Sequence, residues 1–153
     1  MSFVIFLDSG PLGLVTNPNT ANSDAVACAE WLISCLDAGV RVCIPEICDY
    51  EVRRELIRGS KLAGLARLDQ LKSQVEYVPI TTVMMLQAAE FWAEVRNTHR
   101  PTASNEALDA DVILAAQAVL SAEADDALVI ATTNVGHLIR FAKAKAWRDI
   151  API

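Results

Sequence analysis

Residues Phe3–Leu7 (FVIFL) form an unbroken run of apolar, β-prone side chains that stops at Asp8. A strand with one wet face alternates polar and apolar residues, so a run without alternation belongs to a strand covered on both faces. Such a strand sits centrally in a parallel sheet and needs helices above and below it. The rest of the chain supplies them. Residues 22–38 carry apolar side chains at helical spacing and stop at Gly39, and 41–44 form a second short strand. Pro45 opens a helical segment over Glu46–Arg58 that closes near Gly59. A helix over 61–73 leads to a third strand at 76–80, and Thr81 caps a long amphipathic helix bearing Met85, Ala88, Ala89, Trp92 and Val95. The polar stretch 97–105, with Pro101, reads as a loop; a helix over 107–122, a fourth strand at 127–131 and an edge strand within 147–153 complete the chain. This alternation predicts an α/β fold in three layers, α/β/α, with a central parallel sheet of four to five strands, right-handed crossovers and Rossmann-type winding.

The chain of 153 residues fits one domain. With 53% hydrophobic and 21% charged residues it is too apolar to be disordered, so a large core is expected. No apolar run approaches the roughly 20 residues of a bilayer crossing, and the start lacks the basic segment and cleavage pattern of a signal peptide. The expectation is a cytoplasmic protein without membrane contact. Cys28, Cys35, Cys43 and Cys48 show neither zinc-site spacing nor disulfide density and read as small buried hydrophobes. A net charge of −6 argues against nucleic-acid binding by bulk electrostatics alone. A carboxylate metal site is compatible with it, because bound cations reverse the local field.

In a doubly wound sheet, ligands bind beyond the carboxyl ends of the strands, where the strand order reverses. Asp8 follows the first strand directly, and Asn134 follows the fourth in ATTN. Crossover helices run antiparallel to the strands, so their first turns face the same edge; Glu51, Asp109 and Asp111 lie early in such helices. Ala115, Ala118 and Ala122 follow Asp111 around its helix, which implies a closely packed face headed by an acid. A carboxylate taken out of water needs a partner. Oxygen donors without His or Cys at matching positions favour Mg²⁺ or Mn²⁺ over zinc. Each acid also has a local explanation: Asp8 as a turn residue in DSGP, Asp109 or Asp111 as a helix cap, Glu51 as a surface acid, Asn134 as a cap. Glu55 lies one helical turn beyond Glu51, roughly 6 Å from it along the axis. His99 and His137 read as surface or hydrogen-bonded histidines. Arg53, Arg54, Arg58 and Lys61 cluster beside Glu51, where a phosphate backbone, solvent or an acidic partner are alternatives. Arg140, Lys143, Lys145 and Arg148 form a second basic group with the same alternatives.

These landmarks carry a family resemblance. FLDSGPL resembles the opening strand and first acid of PIN domains, and PEICDYEVRREL their second motif, with Glu51 six positions after Pro45. DADVILAAQA resembles the third motif with Asp111 at its acid, and VIATTNVGHL the fourth. Over nearly its whole length the chain is similar to VapC-type ribonuclease toxins of toxin–antitoxin systems. The resemblance implies a PIN-like fold and a metal-dependent endoribonuclease that hydrolyses phosphodiester bonds of single-stranded RNA. It implies Asp8, Glu51 and Asp111 as catalytic ligands of Mg²⁺ or Mn²⁺, helped by Asn134, with Asp109 bound to the metal or next to its ligands. Thr132 or Thr133 would orient a ligand or water. An antitoxin partner and a homodimer follow from the same likeness. The sequence departs from the family at Asn134, where Asp is usual, and in the longer 97–105 stretch. Asn134 keeps open the alternative of a catalytically degenerate PIN-like module that binds RNA or protein. A haloacid-type phosphatase would need Asp where Gly10 stands, and a receiver domain an acidic pair where Phe6 and Leu7 stand. No Walker A or GxGxxG loop follows the first strand.

Overall fold

A computed structural model describes residues 3–98, 105–139 and 141–152. The elements run β1 (Phe3–Leu7), α1 (Ser9–Thr16), α2 (Ser23–Asp37), β2 (Arg41–Pro45), α3 (Glu46–Arg58), α4 (Leu62–Lys72) and β3 (Glu76–Val78). They continue with α5 (Thr82–Thr98), α6 (Asn105–Ser121), β4 (Ala127–Thr132), α7 (Val135–Leu138), β5 (Ala144–Ala146) and a 3₁₀ turn, Trp147–Asp149. The sheet has five parallel strands in the order β3-β2-β1-β4-β5. β1 is central, and Val4 to Leu7 are buried within it, as its unbroken apolar run requires.

The order reverses at β1. The chain winds outward through β2 and β3, then returns to the other side of β1 for β4 and β5. With right-handed crossovers, helices α1–α4 cover one face and α5–α7 the other. The backbone N–H of Asp8 donates to the Ala131 carbonyl at 2.9 Å, extending the β1–β4 ladder one residue past the strand. Asp8 is therefore pinned at the reversal point. On the α2 side, the Trp31 indole packs at 5.8 Å from that of Trp147 and donates through Nε1 to the Ile150 carbonyl at 2.9 Å. This tie anchors the C-terminal segment.

Four expectations change. The segment after β1 is not only a turn: SGPLGLVT forms α1, because Pro11 occupies its first turn, where a backbone N–H has no intrahelical acceptor to lose. The edge strand is Ala144–Ala146 rather than part of 147–153, since Trp147 leaves the ladder to fill the core beside Trp31. α5 runs on through Thr98 and α6 starts at Asn105, so both ends of the expected 97–105 loop are helical. His99 and the remaining centre of that loop, 99–104, lie outside the described residues. β3 ends at Val78, two residues early.

Candidate metal centre

Asp8 is held from both sides. Its Oδ1 accepts from the Ser9 backbone N–H at 2.7 Å, the cap of α1, and its Oδ2 accepts from the Thr132 hydroxyl at 2.7 Å. Thr132, last residue of β4, is fully buried, and its Oγ1 also accepts the Asn134 backbone N–H at 2.9 Å. One hydroxyl thus joins β4, the Asn134 turn and Asp8. Asn134 occupies the N-cap position of α7, yet its side chain makes no capping bond and is exposed. Oδ2, with the Thr132 hydroxyl as its donor, keeps lone-pair capacity for a further ligand.

Glu51 reaches the same place from the second turn of α3. Asp8, Glu51 and Cys48 each bring a ligand atom to within 4.8 Å of the others. The Glu51 pKa is raised, first by burial, then by the charge of Asp8; Arg54 opposes this and Asp111 adds to it. Asp111, half-buried on α6, therefore acts on the same carboxylate from the opposite helical layer. Among the described residues neither Asp8 nor Glu51 forms an ion pair. Carboxylates crowded together are costly unless a cation joins them.

The structure separates other expected site residues. Asp109 is exposed and lines a cleft between α5 and α6 with Met85, Ala88 and Trp92. Two residues apart on a helix, Asp109 and Asp111 cannot face one point. Thr133 is exposed and packs over Gly10. Arg53 binds Asp49 at 3.0 Å and Asp69 at 2.7 Å, whereas Arg54, Arg58 and Lys61 share a groove with Glu51. His137 lies in α7, three residues after Asn134.

No family model matches the chain, and no curated protein matches it. Solved structures do. VapBC2 from Rickettsia felis, bound to a promoter DNA fragment, contains a chain 15% identical with a TM-score of 0.67, covering 94% of this chain and 98% of that one. DNA-bound VapBC from Salmonella typhimurium gives 20% identity, a TM-score of 0.63 and coverage of 95% and 98%. VapBC-1 from nontypeable Haemophilus influenzae gives 18% identity, a TM-score of 0.62 and coverage of 95% and 99%. The chain has a PIN-like fold.

Within the PIN-like fold two site residues escape sequence reasoning. Cys48 corrects the expectation that no Cys accompanies the acids: its Sγ lies 3.9 Å from Asp8 Oδ1. Full burial, with Asp8 and Glu51 adding negative charge, pushes its thiol pKa well above the usual value, so it stays a neutral thiol. It faces the acids because it precedes Glu51 by three residues, a spacing visible in the sequence. The other is Gln117, fully buried on α6. Its Oε1 accepts from the Ile47 N–H at 3.2 Å and its Nε2 donates to the Val78 carbonyl at 2.7 Å. It ties the helix of Asp111 to the start of the helix of Glu51. A lone Gln among alanines is the only signal the sequence holds for it.

Gly10 is required for close approach. A Cβ there would stand 2.3 Å from Thr133 Oγ1 and 3.1 Å from Thr133 Cβ, so the turn after β4 would have to move. Gly10→Ala should cost about 1–3 kcal/mol by overpacking. Adding Thr133→Ala should recover part of that loss in a denaturant titration, and no recovery would show that the contact is not the cause.

Proposed function

We propose that this chain is a Mg²⁺- or Mn²⁺-dependent endoribonuclease that hydrolyses phosphodiester bonds of single-stranded RNA. The observation that carries the reading is the Asp8–Glu51 pair, coupled electrostatically to Asp111 and without an ion pair at Asp8 or Glu51 among the described residues, at the point where strand order reverses. The donor set fits a hard divalent cation: oxygen atoms of Asp8, Glu51 and Asp111, with the Asn134 side-chain oxygen on the adjoining turn. Cys48 stands beside these oxygens as a buried thiol. Bound there, the cation would lower the pKa of a water and stabilise charge on the phosphate.

The chain's own part is positional. The Ser9 N–H on Oδ1 and the Thr132 hydroxyl on Oδ2 orient the Asp8 carboxylate. Gln117 and the alanine face of α6 hold Asp111 opposite Glu51. Cys48 and Thr132, both fully buried, form the inner wall beside Asp8. A role as the toxin of a toxin–antitoxin pair is supported by the likeness to chains of VapBC complexes. An antitoxin partner and a homodimer belong to the same proposal, and sedimentation of the chain alone and with candidate partners would read both.

The test is cleavage of a mixed-sequence RNA by purified protein with Mg²⁺, with Mn²⁺ and with EDTA. Cutting that requires metal supports the reading; no cutting, with no metal binding by calorimetry, rejects it. Metal binding without cutting would favour the degenerate module, the reading that Asn134 in place of Asp supports.

The raised pKa of Glu51 sets a pH dependence. Metal competes with a proton for Glu51, so metal affinity should climb as pH rises through the raised value. In metal-free protein the sign for stability is the reverse. A carboxyl whose folded pKa is raised contributes stability that is full below 4.5 and is lost as pH rises through the folded value. Melting with EDTA should show this fall, and Glu51→Gln should flatten it. An equal slope in the variant would assign it elsewhere.

A further inference from the structure

We propose that the groove between α1 and α3 is the track for the RNA strand, with Arg58 and Lys61 holding phosphates beyond the cleaved bond. This rests on the nuclease reading above and names where its substrate lies. The groove has a volume of ≈ 510 Å³, contains Glu51 at one end, and is lined by Gly13 on α1 and by Arg54, Glu55, Arg58 and Lys61 across from it. The cations succeed one another away from the acids. Along α3, Arg54 stands about 4.5 Å and Arg58 about 10.5 Å beyond Glu51 at 1.5 Å per residue. Ser60, with φ 53°, turns the chain so that Lys61 comes back beside Gly59, its Cγ 3.4 Å from where a Cβ there would lie. The turn thereby returns a third cation to the groove instead of letting it leave with α4.

The cations of this groove are available, in contrast to Arg53. Arg54 stacks its guanidinium 5.1 Å over the Tyr50 ring and, like Lys61, makes no ion pair within the described residues. Arg58 pairs with Glu55 at 2.6 Å, but both side chains are mostly exposed, at 76% and 59%. An exposed pair of this kind is weak and readily exchanged for a phosphate, which also offers Arg a bidentate partner. On the opposite wall, position 13 has nothing within 4 Å of a would-be Cβ, so the groove is open there. A polyanion leaving the acid cluster along this path meets Arg54, Arg58 and Lys61 in succession, in a chain whose net charge is −6. An acidic peptide is the competing occupant. The direct continuity of the groove with Glu51 favours the substrate.

The experiment compares wild type, Arg58→Gln/Lys61→Gln, Gly13→Glu, and Lys145→Gln as a charge control on the far edge strand. RNA cleavage gives KM and kcat, and fluorescence anisotropy of a labelled single-stranded RNA gives binding over a salt series. The expected result is a KM for long RNA raised roughly tenfold or more in the double variant and in Gly13→Glu, with a smaller change in kcat. The slope of log affinity against log salt should fall by about 1.4 in the double variant, about 0.7 for each lost phosphate contact. If wild type cuts RNA and these variants match Lys145→Gln, the groove proposal fails while the nuclease reading stands. If wild type does not cut, the nuclease reading fails. Anisotropy then decides the groove by itself: binding weakened in the variants sustains it, and binding unchanged or absent overturns it.

Discussion

Asp8→Asn combined with Asp111→Asn should remove metal-dependent RNA cleavage, with a loss on the order of 10³-fold or more, while the protein stays folded. Asn preserves the volume at both positions and an oxygen that can accept the Ser9 N–H, so the cap of α1 survives in part. What disappears is charge. Two of the three carboxylates that act on one another become neutral, and the site loses its attraction for a divalent cation. Without metal the same variant should lessen the fall in melting temperature as pH rises, because the charge of Asp8, and after it that of Asp111, raises the Glu51 pKa in the parent protein. Cleavage assays and calorimetric metal titration read the first effect, and melting with EDTA the second. A double variant that keeps more than a tenth of wild-type cleavage would remove these carboxylates from the reaction.

Gln117→Leu should lower stability by about 3 kcal/mol, a large share of the total for a domain of this size. Leu approximates the volume of Gln but leaves the Ile47 N–H and the Val78 carbonyl without their partners inside the protein. Each buried orphan costs about 1–3 kcal/mol, partly offset by no longer burying an amide. The effect should reach the site as well. Gln117 joins α6 to the start of α3 and to β3, so its loss should weaken metal binding by roughly tenfold without touching a ligand. Urea unfolding and metal titration test the two halves. A loss under about 0.5 kcal/mol would show that Gln117 is replaceable packing.

The parts of the fold legible in the sequence are those decided locally. The run Phe3–Leu7 cannot sit at an edge without exposing apolar surface, so it announces a central strand and puts Asp8 at its carboxyl end. The helical spacing of α2, α3 and α5 and the stops at Gly39 and Gly59 likewise express short-range preferences. α1 was hidden because glycine and proline within SGPLGLVT look like a turn. Its burial under neighbouring helices stabilises a helix that local propensity disfavours. The edge strand was misplaced for a related reason: Trp147 has the profile of a strand residue, and only packing against Trp31 shows that it belongs to the core instead.

The same division holds at the site. Position in sequence relative to strand ends placed Asp8 and Glu51 at one edge, because a parallel sheet delivers every strand end to the same side. Which side each residue of a helix presents depends on what the helix packs against. That is why Asp109 and Asp111, two residues apart in one motif, part ways, and why Cys48 joins the acids. The split between Arg53 and its neighbours has the same origin: four cations in nine residues look alike until Asp49 and Asp69 claim one of them. From the sequence alone came the sheet, its polarity and the edge where the acids gather, since these follow from hydrophobic runs and chain direction. Only the tertiary structure decided which side chains meet there, because hydrogen bonds such as Thr132 to Asp8 and Gln117 to Ile47 join residues 124 and 70 positions apart, and no local preference encodes a partner at that distance.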